Sequence, residues 1–186
     1  SLVLKGWADK KDIVPPDYIK SKGNIDFGSV VWWKMPVLRK CAEYFLANAT
    51  ETDKAEYKLF CKNKAAWLDK FACFMSIKSI YDAKAAEEKP ENSMWFAYWP
   101  KELARCEKDA VSAWQKEHKA DIEIYKVIQF FFDVQWTALK NYANDSGIQL
   151  IGDIPIFVAP DSADVWSNQK LFQLNNDGRP TCVSGV

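Results

Sequence analysis

The stretch that most constrains this chain is residues 148–158, Ile-Gln-Leu-Ile-Gly-Asp-Ile-Pro-Ile-Phe-Val. Apolar residues stand on both sides of Gly152-Asp153, a pattern that predicts a strand buried on both faces, as in a parallel sheet. Such a strand delivers one carboxylate, Asp153, at its carboxyl end. Pro155 cannot donate to a sheet ladder, so regular pairing is expected to stop there and 155–160 to run as irregular chain. Asp161 and Ser162 then offer two possible N-caps for a short helix carrying Trp166.

The upstream chain reads as helices. Leu2 to Asn24 is rich in Lys, Asp and Pro and is expected to be surface loop, turning at Pro15-Pro16-Asp17. Asp26 caps a helix from about Gly28, which Pro36 should kink or split. Thr52 begins a second helix with Tyr57 and Phe60 on its apolar side, and Asn63 caps a third carrying Leu68, Phe71, Ala72 and Met75 at helical spacing. Residues 82–92 are polar and predict a flexible loop. Met94 to Pro100 holds four aromatic rings without clear periodicity, readable as a glycan-contacting loop or as a plug between helices. Two more helices follow, over 107–117 and 121–144. In the second, Tyr125, Ile128, Phe132, Trp136 and Leu139 share a face that Ile124, Val127, Phe131 and Val134 widen. A stripe this wide predicts contact with two layers, a sheet and other helices. Gly147 supplies the C-cap. Beyond the strand, Asp177-Gly178 predicts a tight hairpin turn.

The balance of 25 basic and 25 acidic residues leaves no net charge and no electrostatic footprint for nucleic acid or an anionic membrane. The apolar run at 127–134 is far short of the roughly 20 residues that span a bilayer, so no membrane segment is expected. The first residues lack the pattern of a signal peptide. Five cysteines without a C-x-x-C pair and a single histidine, His118, suggest neither a zinc site nor a disulfide framework. The expectation is no metal, no organic cofactor, and a reducing, cytoplasmic location.

One set of motifs is specific. Gly-Asp-Ile-Pro-Ile-Phe-Val-Ala at 152–159, Asp-Ser-Ala-Asp-Val-Trp at 161–166, Leu-Phe-Gln-Leu at 171–174, Asp-Gly-Arg-Pro-Thr at 177–181 and Ser-Gly-Val at 184–186 resemble the amylomaltases. These are the 4-alpha-glucanotransferases, or disproportionating enzymes, of glycoside hydrolase family 77. Ile25-Asp26-Phe27-Gly28, Trp33-Lys34-Met35-Pro36, Trp67-Leu68, Tyr98-Trp99-Pro100 and Gln135-Trp136 extend the resemblance over nearly the whole chain.

The resemblance implies an α/β fold: a mainly helical segment plus one strand and a hairpin, sliced from a (β/α)8 TIM barrel with an inserted helical subdomain. Residues 1–146 would form the helical subdomain and a barrel helix, and 147–186 the barrel strand, active-site loop and hairpin. Its implied partners are maltooligosaccharides or other alpha-1,4-glucans and the remainder of its own barrel. It also implies that the nucleophile and acid/base carboxyls lie after Val186, so that this chain holds no catalytic residue and is inactive alone.

Three positions carry substrate-binding expectations. Asp153 matches the carboxylate of the family's first signature region in the donor-sugar pocket; the alternative is a local cap of backbone amides. Trp166 is readable as a sugar platform or as a packing residue. Gly185 would hinge the acceptor-side loop. Asp161 and Asp164, although three residues apart, are expected to serve a helix start rather than to form a catalytic pair. The reading from another class is a non-catalytic carbohydrate-binding or helical interaction module.

Overall fold

Asp26 starts the first long helix by accepting a hydrogen bond from the Ser29 amide at 3.2 Å and another from the Ser29 hydroxyl at 2.6 Å. The computed structural model describes residues 2–19, 23–154 and 156–182, and over these the chain is mainly helical. Helix α1 spans Phe27–Asn48 and passes through Pro36 as one element. It is therefore not split, although Pro36 offers no N–H to the carbonyl of Trp32.

Helix α2 spans Glu51–Glu88. Thr50 caps it: its Oγ1 accepts from the Asp53 amide at 3.1 Å, as an N-cap hydroxyl does, and donates to the Asp53 carboxylate at 2.8 Å. This one helix corrects a start at Thr52, a break at Asn63 and, as far as Glu88, the loop expected over 82–92; residues 89–92 are loop. No Gly or Pro falls between 51 and 88. Asn63 therefore has no neighbouring breaker to make it a cap, and the Ala, Lys and Glu residues of 83–88 are good helix formers. The helix ends where Lys89 takes the left-handed φ of 49°.

Short helices α3 (Trp95–Tyr98) and α4 (Lys101–Ala104) precede α5 (Lys108–Glu117) and α6 (Lys119–Asp145). Gly147, at φ 76°, closes α6 as expected. Its amide donates to the Asn144 carbonyl and that of Ile148 to Ala143, both at 2.9 Å, which is the Schellman pattern. Helix α7 spans Ala163–Ser167.

The expected strand over 148–158 is not formed among the described residues. Ile151, Ile154 and Ile156 are 94%, 81% and 86% exposed. An extended segment holds strand geometry through ladder bonds to neighbours, and among the described residues no strand pairs with it. The expected hairpin is reduced in the same way. Asn175 N donates to Arg179 O at 2.8 Å and Thr181 N to Gln173 O at 2.9 Å, closing the Asp177-Gly178 turn through an isolated antiparallel bridge, Leu174 to Pro180, rather than two strands.

The chain divides into two compact units, Ser1–Asn63 with Ile124–Leu150, and Lys64–Glu123 with Ile151–Val186. The long helices α2 and α6 contribute to both. The first unit has an aromatic core in which Trp7 stacks on Phe131 at 5.2 Å and meets Phe45 edge-on at 5.0 Å, with Tyr57 and Phe60 closing on Phe130. The second is built on Leu68, Ala72, Phe74 and Ile77 of α2, against which Trp95, Trp99, Leu103 and Trp166 are buried. Ser76, fully buried, receives the Trp114 indole N–H at 3.1 Å, so its hydroxyl is satisfied.

Candidate functional site

Asp153 is exposed, and its Oδ1 accepts the amide hydrogen of Ile154 at 2.8 Å. The contact is to the next residue's backbone, the kind of local role set against a sugar-binding one. Just beyond it, Ile156, Phe157, Val158, Val165, Leu171 and Phe172 line an open, mainly apolar groove of about 490 Å³.

Trp166 lies in the core of the second unit, 1% exposed, with Phe74 at 5.7 Å and Trp99 at 6.2 Å. Its indole N–H donates to the Leu103 carbonyl at 2.7 Å. No ring face is open to a sugar here, so the geometry carries the packing alternative for Trp166. Gly185 lies outside the described residues.

The start of α7 is resolved in favour of Ser162, whose Oγ accepts from the Val165 amide at 3.3 Å. Asp164 sits exposed in the first turn, where the helix dipole favours a carboxylate. Asp161, the other candidate cap, is turned to Lys78 of α2, whose Nζ stands 2.6 Å from Asp161 Oδ2 and 3.2 Å from Asp82 Oδ1. Asp161 and Asp164 thus do different work and make no acid–nucleophile pair.

Lys78 is a residue that sequence reasoning missed. Burial pulls its pKa down, but the hydrogen bonds and charges of Asp161 and Asp82 outweigh that and hold it above the ordinary lysine value. A partner 83 positions away leaves no local trace in sequence. A second tie lies beside it, where the Trp95 indole N–H donates to the Pro160 carbonyl at 2.9 Å.

The aromatic cluster of 94–100 divides by burial. Trp95 and Trp99 plug the core, whereas Tyr98 is half-buried and donates to Glu88 at 2.6 Å, which pushes its hydroxyl up to about 12. Gly178 is buried against Trp95: a Cβ added there would come within 2.8 Å of the indole, and its φ of +79° is one that side chains rarely adopt.

Burial pushes the Cys41 and Cys106 thiols up, away from the thiolate form that a nucleophile needs. No group of three or more His, Cys, Asp or Glu side chains suited to a metal occurs among the described residues, and no helix among them is long and apolar enough to cross a membrane. What the site offers is one exposed carboxylate, Asp153, in a segment whose far end is tied to α2 and α3. A single carboxylate cannot perform retaining glycosyl transfer, which takes two about 5 Å apart.

Comparison with known proteins gives a consistent result. The 4-alpha-glucanotransferase family, glycoside hydrolase family 77, matches residues 1–186. A 4-alpha-glucanotransferase of Streptococcus pneumoniae serotype 4 is 33% identical over 185 residues, 99% of this chain and 34% of the relative. That of Thermus thermophilus is 34% identical over 165 residues, 89% of this chain and 31% of the relative. Among solved structures, an amylomaltase from Streptococcus agalactiae in complex with acarbose superposes with a TM-score of 0.85 at 32% identity, covering all of this chain and 35% of that one. The chain spans about a third of the length of the relatives it matches.

Proposed function

We propose, since the chain belongs to glycoside hydrolase family 77, the 4-alpha-glucanotransferases, that it is part of an enzyme moving alpha-1,4-glucan segments between maltooligosaccharides. The observation that carries this reading is the family match across residues 1–186, supported by the amylomaltase likeness over the whole chain. The reaction is a retaining double displacement: a carboxylate displaces the leaving glucan, whose oxygen is protonated by a second carboxyl group, to form a covalent glucosyl-enzyme, and the acceptor hydroxyl, deprotonated by that second group, displaces the first. Both carboxyl groups belong to positions after Val186 in this reading. Residues 1–186 supply binding groups, Asp153 on the donor side and Gly185 at the acceptor-side loop, with Trp166 as the buried anchor of the segment between them.

The same reading supplies a partner for the exposed apolar surface. In the first unit, Trp33, Val37 and Leu38 of α1 with Phe132, Trp136 and Leu139 of α6 line an apolar groove of about 650 Å³. In the slice of a (β/α)8 barrel this groove belongs against the sheet and residues 147–158 belong in it, so the remainder of the barrel is what covers them. The five cysteines form no disulfide among the described residues, which suits a reducing compartment, the cytoplasm.

The test is a hybrid in which residues 1–186 replace the matching segment of the Streptococcus agalactiae amylomaltase, incubated with maltotriose. The hybrid is expected to yield glucose and longer oligomers, and the 186-residue chain alone to yield neither. A folded but inactive hybrid contradicts the assignment, and product from the pure chain contradicts the placing of the catalytic carboxylates.

A further inference from the structure

We propose that Lys78 is a positioning residue for the loop that borders Asp153, acting through its ion pair with Asp161; this rests on the donor-side role of Asp153 given above. The two residues are 83 positions apart, and their charged atoms meet at 2.6 Å with only about a quarter of each side chain exposed. The pair is not an ordinary surface bridge, in which two long side chains meet in water for little gain. Asp161 Oδ1 is buried and has no hydrogen-bond partner among the described residues. A carboxylate held so is costly unless its charge is matched. Asp82, one turn along α2, lies farther from the same Nζ, at 3.2 Å, and is itself more exposed.

The consequence is geometric. Trp95 grips the Pro160 carbonyl, Lys78 grips Asp161, and Ser162 begins α7, whose Trp166 is anchored to Leu103. Three successive residues are therefore fixed to helices, while Ile154 and residues 156–159, between this anchor and Asp153, are exposed. The anchor sets the root from which the chain runs back to Asp153 past the groove that Ile156, Phe157 and Val158 line. A loop rooted in the right place presents the pocket already formed; a loose root makes each substrate order it, and small misplacements lower turnover.

The experiment uses the hybrid enzyme for turnover and the 186-residue chain for amide exchange. Lys78→Met and Asp161→Asn are each expected to lower turnover about tenfold, measured well below the melting temperature. The double variant should lose no more than either alone, as for residues acting as one unit. Lys78→Arg should recover most of the rate, and Asp82→Asn should stay near normal. In the chain, both single variants should speed exchange at the amides of 161–165 and leave those of α6 unchanged. Normal turnover in Lys78→Met despite a lowered melting temperature overturns the proposal, as do losses that multiply in the double variant or unchanged exchange at 161–165. An unsubstituted hybrid that folds but transfers nothing overturns the proposed function instead.

Discussion

Two apolar stretches of this chain meet opposite fates. Residues 122–131 of α6 bury Ile122, Ile124, Val127, Phe130 and Phe131, whereas 148–158, hardly less apolar, leaves Ile151, Ile154, Ile156 and Phe157 in solvent. The helix satisfies its backbone internally and needs only side-chain neighbours, which α1 and α2 provide. The other stretch needs backbone partners before it can have a face to bury. Apolar composition thus states what a segment requires, and backbone pairing decides whether residues 1–186 suffice to meet it. The same division runs within α6, where Tyr125 and Ile128 are buried while Phe132, Trp136 and Leu139, further along the same face, are exposed.

The comparison predicts unequal costs for similar truncations. Trp166→Ala empties a fully enclosed site and breaks the bond to Leu103, so urea unfolding should show a loss of about 3–5 kcal/mol. Ile154→Ala, on the exposed stretch, should stay within about 0.5 kcal/mol of the parent chain. Equal losses would break the distinction between the two regions.

A smaller effect tests whether the Asp177-Gly178 turn belongs with the ordered part. Gly178→Ala places a methyl 2.8 Å from the Trp95 ring at a φ of +79°. The expected cost is about 1–3 kcal/mol, from overpacking and backbone strain together. A melting temperature equal to that of the parent would show that the turn is not docked on Trp95.

The smallest effect is on the ion pair, and its sign follows from linkage. The carboxylates of Asp161 and Asp82 hold the Lys78 pKa above the ordinary lysine value, against the opposing pull of burial. The lysine's contribution to stability is therefore fully present below about pH 10.4, the unfolded value, and is lost as pH rises through the folded one. The stability gap between the parent chain and Lys78→Met should be constant from neutral pH to about pH 9.5 and close above about pH 10.4. A gap that closes near pH 5 would instead assign the linkage to a carboxylate.

Much of this architecture is legible in the residues. Asp26, Gly147 and the 3.6-residue spacing of α6 mark helix boundaries through local chemistry, and the structure follows them. Other features are not legible because no local rule decides them. Asn63 carries cap chemistry inside a helix that nothing interrupts, and the Lys/Glu/Ala run of 83–88 reads as polar loop although its propensities favour helix. The choice of Ser162 over Asp161 as cap depends on Lys78, brought in from α2. For the site, Asp153 stands out through its flanking pattern and the family motif, while the burial of Trp166 is a tertiary fact that a tryptophan in a motif does not disclose.

In the proposed barrel, residues 148–158 belong in the sheet, and that is why they are apolar. Amide hydrogen exchange over that segment, compared between the 186-residue chain and the hybrid amylomaltase, tests it most directly. The account predicts near-unprotected exchange at the amides of 148–154 in the monomeric chain and strong protection in the hybrid. Slow exchange there in the isolated monomer, or fast exchange in an active hybrid, would contradict it.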